Sequence, residues 1–133
     1  MTLLNRLLLF IGILLIMSFN GSVPEGRLKQ FNSGSEYSVD EIAAIKKFSV
    51  VYIGNDPQFD GDEYAILAYE LIMAPKKGEA EYFKVEGNSL PEEIMAKIKG
   101  HLKSGDKLIF DNVVYLTNQG AKKQCGPAVI YLK

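Results

Sequence analysis

Ser104-Gly105-Asp106-Lys107-Leu108-Ile109-Phe110-Asp111-Asn112-Val113 runs out of a helical pattern into an apolar strand. Upstream, Leu90, Ile94, Ile98 and Leu102 recur every four residues and Met95 widens the stripe, the pattern of an amphipathic helix. Ser89 and Glu92 have capping-box spacing, with Pro91 in the first turn. The helix is expected to end near Ser104. Gly105 then takes a left-handed conformation that costs glycine no Cβ clash. Lys107 to Leu116 and Lys122 to Leu132 read as a strand pair around Asn118-Gln119-Gly120, with Leu108 and Phe110 on its core face.

The rest of the chain agrees with a β-rich domain. Phe48 to Ile53 is β-branched and aromatic, hence a strand. Tyr64 to Ala74 is the longest apolar run of the domain. A helix competes there, because Ala, Leu, Met and Glu favour it. Pro75, the turn Lys76-Lys77-Gly78 and the following Tyr82-Phe83-Lys84-Val85-Glu86 favour a hairpin. As a strand, its more apolar face is Ala65, Leu67, Tyr69, Leu71 and Met73, which is expected to point inward. Ser38-Val39-Asp40-Glu41 is a capping box for one or two helical turns. Gly54 to Asp62 reads as a loop.

The 133 residues suit one domain of ordinary size, and the net charge of -1 carries no basic stripe with interleaved aromatics. A nucleic-acid partner is therefore not expected. Arg6 followed by the apolar run Leu7 to Phe19 reads as a secretory signal peptide over residues 1–19. Thirteen residues of helix reach roughly 20 Å, short of a bilayer core. The mature chain is expected to begin between residues 19 and 25; an uncleaved anchor is the competing reading. Residues 20–36, rich in Gly, Ser, Asn and Gln, read as a linker, and residues 37–133 as the compact domain. The lone Cys125 has no internal partner for a disulfide and is expected to be buried.

No residue pattern points to catalysis, a cofactor or a metal. His101, the one histidine, adjoins the apolar stripe without an acidic or Cys partner at useful spacing. The loop Asp56-Pro57-Gln58-Phe59-Asp60-Gly61-Asp62 has Gln58 where a calcium loop carries Asp or Asn and, further on, Leu67 where it needs a bidentate Glu. Glu70 interrupts an apolar run, which implies a solvent-facing side of the strand or a buried pair such as one with a lysine; the solvent-facing side is expected. Most strand tyrosines are structural, with one or two free for docking.

The helix, Gly105-Asp106-Lys107-Leu108-Ile109-Phe110-Asp111-Asn112-Val113, the Gly120 turn and the final Pro127-Ala128-Val129-Ile130-Tyr131-Leu132 resemble the C-terminal domain of GldM. That family belongs to the gliding-motility and type IX secretion machinery of Bacteroidetes. The likeness extends to Phe48-Ser49-Val50-Val51-Tyr52, Tyr69-Glu70-Leu71-Ile72-Met73 and Gly87-Asn88-Ser89-Leu90. It implies a mainly β fold, an immunoglobulin-like β-sandwich with one or two short helices. The implied function is non-enzymatic docking to other cell-envelope proteins. GldM carries a membrane-spanning helix and further periplasmic domains ahead of this one, so a free-standing periplasmic or otherwise exported relative is expected here. Membrane contact would come only from an uncleaved N-terminal segment. A small exported enzyme or ligand-binding domain is the alternative.

Overall fold

A computed structural model describes residues 25–54 and 61–133. The signal reading of residues 1–19 and the acidic loop residues 55–60 lie outside the described residues. The described chain is mainly β. It runs β1 (Glu25–Leu28), β2 (Glu36–Tyr37), α1 (Val39–Ala43), β3 (Ser49–Ile53), β4 (Glu63–Ala74), β5 (Glu81–Glu86), α2 (Glu92–His101), β6 (Lys107–Leu116), β7 (Lys122–Cys125) and β8 (Ala128–Leu132). Among the described residues no helix is long and apolar enough to cross a membrane.

One curled, eight-stranded sheet holds these strands in the order β1-β3-β4-β6-β8-β2, with β5 also on β4 and β7 also on β6. The two long strands β4 and β6 form its spine. The first half of β4 pairs with β3 and the second half with β5. The first half of β6 pairs with β8 and the second half with β7. The sheet therefore divides into two lobes that share β4 and β6.

The division falls at two facing irregularities. Ile66 opposes Tyr115 and Ala68 opposes Val114, so β4 carries an extra residue at Leu67. Glu70 then opposes Asp111, so β6 carries an extra residue between Asp111 and Val114. Asn112, at φ +46°, is the non-glycine residue there in the left-handed region. The two extra residues cancel and the register recovers.

These bulges correct the face assigned to β4. Tyr69, Leu71 and Met73 are buried as expected, but Ala65 and Leu67 are exposed while Tyr64 and Ile66 are buried. Strict alternation holds only for an unbroken pleat, and an extra residue changes its phase. β6 makes the same change: Leu108 and Phe110, then Val113 and Tyr115, are buried. One sheet face thus stays inward along both spine strands.

That face holds the core. Phe110 stacks on Phe31 with ring centroids 5.1 Å apart and meets Phe48 and Tyr69 at 5.4 and 5.7 Å. Tyr64 and Tyr115 stack at 5.6 Å in the other lobe. Ile94 and Ile98 of α2 and Leu102 just past its end are buried, on the face that the four-residue spacing marks. Ile42 of α1 is also buried, and α1 lies against α2.

Four further expectations are corrected. Residues 25–36 do not form a linker: β1 pairs with β3, and Leu28 and Phe31 are core residues. A short strand with one inward side chain shows no alternation from which to recognise it. Second, the cap of α2 is Pro91, in extended geometry with no side-chain hydrogen bond, rather than Ser89. The Ser89 carbonyl instead accepts from the Tyr69 hydroxyl at 2.7 Å. The Ser38 box forms as expected. Third, α2 ends at His101 because Leu102 is extended. Gly105 is left-handed, at φ +89°, but within the following turn, where the Asp106 amide donates to the Lys103 carbonyl at 3.0 Å. Fourth, the last strand is two strands, and Cys125 closes the first of them, β7. Val113 faces Cys125 and Phe110 faces Ala128, so β7 and β8 keep one register on β6. Gly126 and Pro127 interrupt the ladder opposite the β6 bulge; proline has no N–H to give it.

Candidate functional site

β5 is the exposed margin of one lobe. It pairs with β4 from Glu81 opposite Met73 to Glu86 opposite Ala68, and with no second strand. The Gly87 amide donates to the Leu67 carbonyl at 2.7 Å, one step beyond that ladder. Backbone groups alternate in direction along an antiparallel strand. Glu81, Phe83 and Val85 therefore aim theirs at β4. Tyr82, Lys84 and Glu86 aim their N–H and C=O groups away from the sheet. Their side chains are also exposed, and Tyr82, at 73%, is the most exposed large apolar residue of the described chain.

The other margins are more sheltered. β1 and β7, the two ends of the other lobe, lie against each other. β2 runs beside the end of β8, and Ser33 and Gly34 bond to Val129 just before it. Where β1 parts from the Gly126–Pro127 break there is a groove of about 420 Å³ lined by Leu28, Phe31, Ile53 and Pro127.

On the outer face, the paired bulges make an open depression of about 380 Å³ bordered by Glu70, Lys84, Glu86, Asn112 and Gln124. Asn112 donates its side-chain amide to Glu70 Oε2 at 2.8 Å. Glu70 is half-buried and lies in register with Lys84, and its carboxylate accepts from Asn112. Asn112 is the residue that the sequence reading missed. An asparagine inside an apolar strand is its only signal, since asparagine tolerates the left-handed region better than most residues.

The remaining sequence candidates are dispersed. His101 is exposed at the end of α2, with Nδ1 3.8 Å from Glu81 Oε1. Cys125 is buried at the end of β7, and burial pushes its thiol up from the ordinary value. No hydrogen bond or ion pair joins Cys125 to His101 among the described residues. Neither do those residues contain three metal-ligating groups placed to share an ion.

No family model matches the chain. No curated protein matches it either.

Proposed function

We propose that the protein is an exported, non-enzymatic interaction module that binds cell-envelope proteins by adding a strand to its sheet. The observation that carries this reading is the margin of β5. It offers three residues with outward backbone groups and an exposed tyrosine, as strand-addition surfaces do. The order of α2, the Gly105-Asp106 turn, β6, the Gly120 turn and β7–β8 supports the likeness to the GldM C-terminal domain. The two lobes sharing β4 and β6 support an immunoglobulin-like sandwich as the finer description of the fold.

The test is capture from a native envelope extract by the full-length chain, read by mass spectrometry. Wild type and His101→Ala should capture the same envelope protein, and Lys84→Pro should lose it. Capture that ignores Lys84→Pro would refute strand addition at β5.

A ligand-binding domain is the second reading, and the Glu70–Asn112 depression favours it. Saturable binding of a small polar molecule, lost in Glu70→Ala and kept in Tyr82→Ala, would decide for it.

A further inference from the structure

The chemistry of the β5 margin points to one occupant. We propose that it pairs antiparallel with the same margin of a second copy of this chain, about a two-fold axis through Phe83. This inference rests on the strand-addition reading above and names the partner.

Self-pairing must match outward residues to outward residues, since only Tyr82, Lys84 and Glu86 have backbone groups to exchange. Three axes do so while engaging at least two of these residues in each copy. An axis through Lys84 sets ammonium against ammonium, which is destabilising for directly opposed residues. An axis through Val85 sets Lys84 against Glu86 of the partner subunit, but the pairing then runs past the end of β5. Gly87 turns away at φ +97° with its amide already on Leu67. The Asn88 carbonyl already accepts from the Phe48 amide at 2.6 Å.

The axis through Phe83 keeps the pairing inside β5. Tyr82 then opposes Lys84 of the partner subunit, and the two-fold repeats the pair. Each pair exchanges two backbone hydrogen bonds. On the outer face, the lysine stem covers the Tyr82 ring and brings the ammonium over it, an attractive cation–π arrangement. On the inner face Glu81 lies opposite Val85 of the partner subunit, so no like-charged residues of the two strands directly oppose each other; Lys97, which lies over the Phe83 ring near the axis, is already paired with Glu81. The product is a single sheet continuous through both copies, with the most exposed aromatic ring covered.

Sedimentation velocity of the full-length chain over a wide concentration range tests this. Wild type should pass from monomer to dimer as concentration rises. Lys84→Pro should remain monomeric with an unchanged unfolding midpoint, because it removes an N–H that β4 does not use. Tyr82→Ala should weaken self-association by roughly threefold to tenfold. Lys84→Glu should weaken it further by setting a carboxylate over the ring face. These two variants decide the matter if Lys84→Pro fails to fold. A wild-type chain that stays monomeric throughout would overturn the proposal, the edge lysine then serving to repel pairing. Variants that associate as wild type does would overturn it too. Where wild type is monomeric yet Lys84→Pro loses capture of an envelope protein, strand addition stands and self-pairing falls. If neither association nor capture depends on Lys84, both fall.

Discussion

Phe110 of β6 sits within the aromatic cluster of the core. It is 1% exposed and its ring meets those of Phe31, Phe48 and Tyr69. Truncation leaves a cavity among three rings that cannot all close on it. Phe110→Ala should cost about 3–5 kcal/mol in denaturant unfolding; a loss below about 1 kcal/mol would contradict this packing. Gly26 makes a different demand. A Cβ built there meets Val50 Cγ1 inside van der Waals contact and lies 3.2 Å from Tyr115 Cζ. Gly26→Ala should therefore destabilise by about 1–3 kcal/mol, although its backbone conformation suits alanine. Asp106 is a polar group in the same class of structural residue. It is 6% exposed, and its two carboxylate oxygens accept from the Lys76 and Lys103 amides at 2.9 and 2.8 Å. Those two hydrogen bonds hold its carboxyl below the ordinary value of 3.8. The folded state thus binds the proton less readily than the unfolded chain. Its stabilisation is complete above the ordinary value and is lost as pH falls from there through the depressed one. Asp106→Asn should lower the urea midpoint at neutral pH and flatten its fall below about pH 4. An unchanged acid slope would show that other carboxylates govern it.

At the scale of elements, the paired bulges decide how the sheet curls. Asn112 takes the left-handed conformation and its side chain bonds to Glu70 across the strands. Asn112→Gly should be close to neutral in stability, because glycine accepts the backbone and loses one exposed hydrogen bond. Asn112→Val should cost roughly 1–2 kcal/mol, since a β-branched residue resists that conformation. Equal thermal midpoints for the two variants would contradict a bulge at this position. The same elements show what was readable from the sequence and why. β3, β5 and β6 announce themselves through β-branched and aromatic runs, β4 through the Pro75 turn and the strand after it, and α2 through its four-residue stripe. The bulges do not, because an extra residue leaves composition unchanged and alters only phase. β1 stayed hidden because one inward leucine gives no period. In the sequence the break at Gly126-Pro127 reads through as one continuous strand, because its place depends on the β6 bulge opposite it. Ser89 has the right spacing for a cap, but Pro91 itself caps the helix in extended geometry while the Ser89 carbonyl is held by Tyr69.

Across the whole molecule, the proposed function rests on which margin of the curled sheet stays open. β1 and β7 shelter each other, β2 partly covers β8, and β5 is left with outward amides. The sequence named Tyr82 only as one tyrosine among several, because exposure at a margin depends on strand order and cannot be read from residue type. The most direct test is amide hydrogen exchange along β5, followed in the dilute full-length chain and again with its partner bound. In the dilute chain, Phe83 and Val85 should exchange slowly while Tyr82, Lys84 and Glu86 exchange fast, since only the first two bond to β4. With the partner bound, Lys84 should become strongly protected while Phe83 and Val85 change little. Protection that arises elsewhere on the molecule while Lys84 stays fast would contradict docking by strand addition at β5.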